Sequence, residues 1–135
     1  ELLIKTLPPY LEGKITPVDQ PATGSTYAGM LKKQDGLLDF SKPALEIERQ
    51  VRAYDDWPGT FMVVHGQILK IRKVVVVEEQ HGQAGIRGII AGKPVVGTSR
   101  GSLMLEEVQP AGKKWMSGQD YLRGNQKDWF SDQHE

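Results

Sequence analysis

Cysteine is absent from the chain. Disulfide bonds and thiolate metal sites are therefore excluded, and nothing indicates an oxidising compartment. The three histidines, His65, His81 and His134, are too scattered to show the spacing of metal ligands. No apolar run approaches the ~20 residues of a membrane-spanning helix, and no signal-peptide pattern opens the chain. We expect a soluble cytosolic protein with no metal site and no membrane partner.

Catalytic motifs are missing as well. The sequence has no glycine loop followed by lysine and serine or threonine, which would cradle a phosphate. The adjacent acidic pairs Asp55-Asp56 and Glu78-Glu79 point in different directions on a helix or a strand, which favours solvated charge over paired acid and base groups. The glycine-flanked segment 97–101 joins two predicted strands, so a hairpin turn is favoured over a phosphate loop. No catalytic residue is predicted.

The overall charge shows no excess of either sign, because 17 basic residues balance 17 acidic ones. A strongly electrostatic binder is therefore not indicated. The distribution is less even: residues 62–101 contain six basic and two acidic side chains, a local charge of +4. A balanced total can thus hide a basic surface in the β-rich middle of the chain.

The hydrophobic pattern changes abruptly at Trp57-Pro58-Gly59. Apolar residues recur at helical spacing before this point, and β-branched residues typical of strands follow it. Proline disfavours helix at the residue before it, and glycine permits the turn that begins a strand. We interpret Trp57, Pro58 and Gly59 as structural residues and expect Trp57 to be buried between helix and sheet.

The predicted helix before this turn covers residues 42–54. Ser41 is the expected N-cap, and Pro43 suits the first helical turn. The spacing of its apolar residues places one face against the sheet, namely Ala44, Ile47 and Val51.

The rest of the chain predicts a mainly β domain with flanking helices. Five short strands separated by glycine-containing turns indicate a small OB-like Greek-key barrel, at residues 61–64, 68–78, 86–90, 94–98 and 102–109. Alternation along the second strand gives it an apolar and a partly basic face: Leu69, Ile71, Val75 and Val77 against Lys70, Arg72 and Val74. A last helix is expected from a Ser117 cap to about Gly124, with residues 131–135 frayed.

The first part of the chain has a different character. Residues 1–11 predict a helix that is already under way at the first residue, and two prolines mark an extended linker after it. A short strand is expected over residues 26–31. We divide the chain into a final helix of a missing upstream domain (1–14), a linker (15–26) and the barrel domain (27–135).

Basic residues are the candidate functional groups. They would line one surface that meets a phosphate backbone, namely Lys32, Lys33, Lys70, Arg72, Lys73, Lys113 and Lys114. Ordinary solubilising charge is the alternative, since lysines cover most soluble surfaces. The aromatic residues do not alternate with the basic ones, which disfavours base stacking and leaves the tryptophans as packing or rim residues.

Several segments together resemble the C-terminal domain of the methionyl-tRNA formyltransferase family. The resemblance spans nearly the whole chain. The matching segments include Leu31-Lys32-Lys33 and Leu38-Asp39-Phe40-Ser41. The specific ones are Arg52-Ala53 leading into Trp57-Pro58-Gly59, together with Gln109-Pro110-Ala111-Gly112-Lys113-Lys114. Lys127 stands where some members carry arginine ahead of the tryptophan, and Met30 replaces a frequent lysine.

The resemblance implies a two-domain bacterial enzyme of the cytosol. That enzyme transfers a formyl group from its co-substrate 10-formyltetrahydrofolate to the amino group of initiator methionyl-tRNA. Its catalytic asparagine, histidine and aspartate lie in a Rossmann-like domain that this chain lacks, so the chain alone is expected to be inactive and to bind no cofactor. The resemblance implies an OB-like domain that helps to hold the tRNA, works beside the catalytic domain and is monomeric.

Two alternatives stay open. The chain could be the equivalent domain of a related formyltransferase or formyltetrahydrofolate hydrolase, because such enzymes share this domain. It could also be a non-enzymatic interaction module, which is expected if the basic residues are scattered over opposite faces.

Overall fold

A computed structural model describes residues 1–130, which fall into two compact units, Glu1–Met30 and the chain from Leu31 onward. The first unit contains the predicted helix, α1 (Leu2–Leu11), and its side chains are not buried. Residues 26–31 form no strand, so that prediction is wrong. Tyr27 and Met30 are 95% and 90% exposed, and without a neighbouring strand their backbone has no partner to form a ladder.

The second unit is a β-sheet with helices beside it. Its elements are a 3-10 turn (Lys33–Gly36), α2 (Ala44–Ala53), β1 (Thr60–Val64), β2 (Gln67–Val77), β3 (Arg87–Ile90), β4 (Lys93–Gly97), β5 (Ser102–Pro110), β6 (Met116–Ser117) and α3 (Gly118–Phe130). The predicted mainly β domain with flanking helices is confirmed, and all five predicted strands are present. The two-residue β6 was not predicted, because two residues carry no periodicity.

The sheet is antiparallel and runs in the order β1-β2-β5-β4-β3, with β6 paired to β5. It is open, since no pairing within residues 1–130 joins β1 to β3 as a closed barrel would require. Other groups occupy both edges. The Leu38 N–H donates to the Phe61 carbonyl on β1 at 2.9 Å, and the Trp129 indole N–H donates to the Gly88 carbonyl on β3 at 2.8 Å.

Helix α2 packs its predicted apolar face on the sheet, and Ala44, Ile47 and Val51 are at most 2% exposed. Ser41 is not its N-cap, because the Ser41 hydroxyl donates to Asp39 at 2.6 Å and Pro43 takes the cap position. The Ala44 N–H instead donates to the Arg100 carbonyl at 3.0 Å. A backbone group from the β4–β5 turn therefore satisfies the start of the helix.

The segment Trp57-Pro58-Gly59 forms the predicted turn between α2 and β1, but the expected burial of Trp57 is wrong. Its side chain is 54% exposed. The turn is held by backbone instead: Gly59 has φ +76° and donates its N–H to the Tyr54 carbonyl at 2.8 Å. A Cβ at Gly36 would collide with the Gly59 carbonyl, so the 3-10 turn and this turn pack backbone against backbone.

Strand β2 does not alternate along its whole length. Leu69 and Ile71 face the core as predicted, but the register against β5 shifts on both sides of Lys73. Beyond this bulge Val74 packs on the core and Val75 is 45% exposed, which reverses the predicted faces of these two residues. The two shifts cancel, because the pairs Ile71–Val108 and Val74–Leu105 have the same offset. The irregular stretch between these pairs interrupts the alternation, so the core-facing positions of β2 resume at Val74 instead of Val75.

Helix α3 is longer than predicted. Ser117 caps it as expected, because its hydroxyl accepts the Asp120 N–H at 3.0 Å. The helix passes the predicted end at Gly124 and continues to Phe130 through a non-helical Asn125, whose side-chain amide donates to the Tyr121 carbonyl at 2.9 Å. Trp129 is fully buried, which explains why the end of α3 continues to pack against the sheet. The predicted fraying of residues 131–135 lies outside the described residues.

Candidate nucleic-acid interface

The outer face of the β1–β2 hairpin presents Lys70. In the register, Lys70 lies between Phe61 on β1 and Gln109 on β5, and its neighbours Leu69 and Ile71 face the core. The two buried neighbours force the Lys70 side chain into solvent. The sheet therefore holds one lysine on a rigid backbone at the centre of this face.

The loop after β5 brings two more lysines beside Lys70. The Gln109 side-chain amide donates to the Lys113 carbonyl at 2.9 Å, and the Lys113 N–H donates to the Pro110 carbonyl at 3.1 Å. Since Gln109 lies opposite Lys70, these bonds hold the loop next to the same face. Lys113 and Lys114 are exposed there.

Lys70, Lys113 and Lys114 form what we call the lysine cluster. None of the ion pairs within residues 1–130 involves any of the three. Their ammonium groups are therefore available to bind an external anion, since they form no ion pair with a carboxylate of the described residues.

Arg72 has a different environment. Its Nε donates to a Glu107 carboxylate oxygen at 3.0 Å, and a second guanidinium nitrogen bonds the other oxygen. The guanidinium carbon lies 4.6 Å from the centre of the Trp115 ring. The hydrogen bond from Arg72 lowers the pKa of Glu107 and raises that of Arg72. The charge of Arg72 is thus already compensated within the domain.

Lys73 lies beside this pair, since the register places it opposite Glu107, but none of the ion pairs within residues 1–130 involves it. Because of the bulge, consecutive residues Arg72 and Lys73 are both exposed. They line a shallow pocket together with Glu48 and Asp55. The surroundings are mixed in sign, unlike those of the lysine cluster.

Lys32 and Lys33 lie at the 3-10 turn beside β1. The Lys32 N–H donates to Asp35 at 2.7 Å and fixes the turn. Phe61, which lies directly opposite Lys70, also reaches the site of Gly36 at the end of this turn. The turn therefore lies beside the β1 edge of the Lys70 face, and both lysines are exposed.

Lys127 lies on α3 rather than on the sheet, and its side chain is exposed. Its neighbour Asp128 lines a pocket together with Pro110 and Ala111 at the end of β5. Seven of the eight predicted basic residues thus lie on or beside the β1–β2–β5 face, and the eighth, Lys127, lies on α3.

Sequence reasoning missed Gln109, Glu107 and Trp115, which order this face. Gln109 and Glu107 are two residues apart, the spacing of side chains on one face of a strand. That signal needs the pairing of β2 with β5 before it has meaning, because Arg72 and Glu107 are 35 residues apart in the sequence.

The acidic pairs, possible metal ligands and helix lengths of residues 1–130 bear on the sequence-based expectations. Asp55, Asp56, Glu78 and Glu79 are exposed, as predicted. Residues 1–130 contain no group of three histidine, aspartate or glutamate side chains able to hold a metal ion. No helix in that part of the chain is long and apolar enough to cross a membrane.

Comparison with known proteins identifies the domain family. Residues 30–126 match the family described as "Formyl transferase, C-terminal domain". The chain is 40% identical over 129 residues to methionyl-tRNA formyltransferase of Myxococcus xanthus, covering 93% of this chain and 40% of that protein. It is 42% identical over 125 residues to the enzyme of that name from Magnetococcus marinus, covering 92% and 40%. The chain spans about 40% of the length of these curated relatives.

Solved structures agree on the fold. HypX from Aquifex aeolicus in complex with tetrahydrofolic acid aligns with a TM-score of 0.62 at 17% sequence identity, over 96% of this chain and 23% of that one. A variant of the same protein gives the same score over 24% of its length. At this identity the likeness concerns the fold alone.

Proposed function

Because the chain belongs to the formyl transferase C-terminal domain family, we propose that it is the tRNA-docking domain of a methionyl-tRNA formyltransferase. The observation that supports this proposal is the lysine cluster: three exposed cations on one face, with no carboxylate partner among residues 1–130. The family match predicted from sequence is confirmed, and the docking role is our proposal.

The whole enzyme would transfer a formyl group from 10-formyltetrahydrofolate to the amino group of methionine on initiator tRNA in the bacterial cytosol, for translation initiation. Its chemistry would lie in an upstream catalytic domain, of which α1 would be the last helix and residues 15–26 the linker. Since the described residues hold no catalytic constellation, this chain would contribute binding and orientation. We expect it to be monomeric and inactive by itself.

Docking would work through the phosphates rather than the bases. Lysine ammonium groups act as point charges that displace condensed counterions, and such contacts fix position without reading sequence. Lys32, Lys33 and Lys73 would extend the contact, while Arg72 is committed to Glu107. Holding the acceptor arm in register turns an encounter of two molecules into a reaction between oriented groups.

The test is the binding of this chain to formylatable initiator tRNA at two salt concentrations. Three phosphate contacts predict that affinity falls roughly 20- to 40-fold between about 50 and 200 mM salt. Binding without salt dependence would contradict docking through the lysine cluster. Absence of binding at low salt would favour a sister formyltransferase or hydrolase with another substrate.

A second experiment distinguishes an effect on folding from an effect on tRNA binding. Replacing both Lys113 and Lys114 by glutamine should leave the melting temperature of the chain within about 3 °C, since both residues are exposed. The same double variant should bind tRNA several-fold more weakly. Lys42→Gln is the control, because Lys42 is paired with Glu46 at 2.9 Å on α2.

A further inference from the structure

The loop that carries Lys113 and Lys114 is held at both of its ends. At its start, Gln109 bonds the Lys113 carbonyl at 2.9 Å. At its end, Trp115 lies against the guanidinium of Arg72, and the following residues pair with β5, Met116 with Val108. An exposed five-residue loop containing a glycine would otherwise sample many conformations.

Arg72 is suited to hold the far end of this loop. Its two bonds to Glu107 tie β2 to β5, and its planar face is left for the Trp115 ring at 4.6 Å. A guanidinium can bond a carboxylate at its edge and stack on an aromatic ring with its face at the same time, which an ammonium cannot do. Trp115 is itself half-buried.

The bulge in β2 makes this arrangement possible. Without the register shift at Lys73, strict alternation would leave only one of two consecutive residues on the outer face. With it, Arg72 and Lys73 are both exposed, Glu107 lies opposite Lys73, and the Arg72 guanidinium reaches the Glu107 carboxylate. The same irregularity therefore places an arginine, its carboxylate and the end of the loop together.

We propose that Arg72, Glu107 and Trp115 form a clamp that positions Lys113 and Lys114 for the phosphate backbone. Arg72 and Trp115 are positioning residues and do not themselves contact the nucleic acid. This inference rests on the proposed docking function, and it revises the sequence-based assignment of Arg72 as a phosphate ligand.

The test uses variants of the 135-residue chain that keep its net charge: Trp115→Leu, Trp115→Phe and Arg72→Lys. The probe is initiator tRNA, with affinity measured over a range of salt. Loss of the ring or of the planar guanidinium should weaken binding roughly 3- to 10-fold, because the lysines must then be ordered on binding. Phenylalanine keeps a ring face for Arg72 and should restore most of the affinity.

Two results decide the role of Arg72. In a background of Lys113→Gln and Lys114→Gln, Trp115→Leu should cause little further loss, since the clamp acts through those lysines. If Arg72 instead contacted phosphate directly, Arg72→Lys would bind like the parent and Trp115→Leu would leave affinity unchanged. Either of those two outcomes overturns the clamp.

A measurement without tRNA separates this inference from the docking function. Backbone NMR order parameters of Lys113 and Lys114 should fall in the Trp115→Leu variant while the rest of the chain is unchanged. Unchanged order parameters refute the clamp even if the parent binds tRNA. A parent chain that fails to bind tRNA refutes docking, and with it the positioning role, whatever the loop does.

Discussion

Two arginines of this domain lie over tryptophan rings, and their surroundings differ. Arg87 lies 5.5 Å from the centre of the Trp129 ring, and both residues are buried. Arg72 lies 4.6 Å from the centre of the Trp115 ring at the surface, where its guanidinium also bonds Glu107. The same pair of residue types thus occurs once inside the core and once beside the lysine cluster.

The difference shows how burial decides what such a pair does. Desolvation lowers the pKa of Arg87, and Trp129 fixes α3 to β3 through its indole N–H, so this pair belongs to the packing of the fold. An exposed ion pair adds little stability, because water screens it and two long side chains must be ordered. The pair at Arg72 can therefore change the position of a loop with little effect on folding.

The largest expected effect is on the buried side of this comparison. Trp129→Ala should cost about 3–5 kcal/mol of unfolding free energy, because it empties a fully buried site and leaves the Gly88 carbonyl without its donor. Trp57→Ala should cost on the order of 1 kcal/mol, since Trp57 is 54% exposed. Urea unfolding measures both free-energy changes. Equal losses of unfolding free energy would contradict the idea that burial makes Trp129 more important for stability than Trp57.

The next effect tests the bulge that gives Arg72 its place. Val74→Asp should cost about 2–4 kcal/mol, because Val74 packs on the core, whereas Val75→Asp should cost less than about 1 kcal/mol at a 45% exposed position. The two variants introduce the same side chain at neighbouring positions of β2 and differ only in the face of the strand that carries it. If thermal unfolding ranked the two variants in the opposite order, Val75 rather than Val74 would face the core. Strand β2 would then alternate regularly and contain no bulge.

A smaller effect is expected at the start of α3. Ser117→Ala removes the hydroxyl that accepts the Asp120 N–H at 3.0 Å, which should cost about 1 kcal/mol. Ser117→Asp supplies another N-cap acceptor and should recover most of the loss. If both variants unfolded at the same urea concentration as the parent, the Ser117 cap would contribute nothing to the stability of α3.

The smallest effect concerns the surface pair and depends on pH. Because the pKa of Glu107 is lowered in the folded chain, its contribution to stability is present above its ordinary value and is lost as pH falls through the folded value. Arg72, Lys73 and Ser117 face this carboxylate, and Asp55 lies near Arg72.

Urea midpoints at about pH 6 and pH 3 check this sign, because the ordinary pKa of a glutamate carboxyl lies between these two values. Glu107→Gln should lose less stability than the parent on acidification, since it has no carboxylate to titrate. A larger loss in the variant would contradict the direction of the pKa shift.

The strands could be predicted from sequence because β-branched runs and glycine turns are local signals. Residues whose environment depends on distant parts of the chain could not. Trp57 and Trp129 have the same side chain, and only the packing of α3 on β3 buries one of them. The bulge needs two paired strands, so the sequence of β2 alone predicted Val75 on the wrong face.

The candidate site shows the same limit. Residue type and motif indicated which side chains are basic, and the structure places most of them near one face. Whether a basic side chain can bind an external anion depends on the carboxylates that contact it. The carboxylate that pairs with Arg72 belongs to Glu107, which lies 35 residues away in the sequence. No local pattern could therefore separate Arg72 from the neighbouring Lys70.

On the proposed function, tRNA docking depends on the lysines without a carboxylate partner rather than on the total charge of the chain. Two charge-matched triple variants test it: glutamine at Lys70, Lys113 and Lys114, and glutamine at the ion-paired lysines Lys14, Lys42 and Lys93. Each loses three positive charges. The slope of log affinity against log salt for initiator tRNA should fall by about two to three in the first variant and stay near the parent value in the second. Equal falls in both variants would contradict the claim.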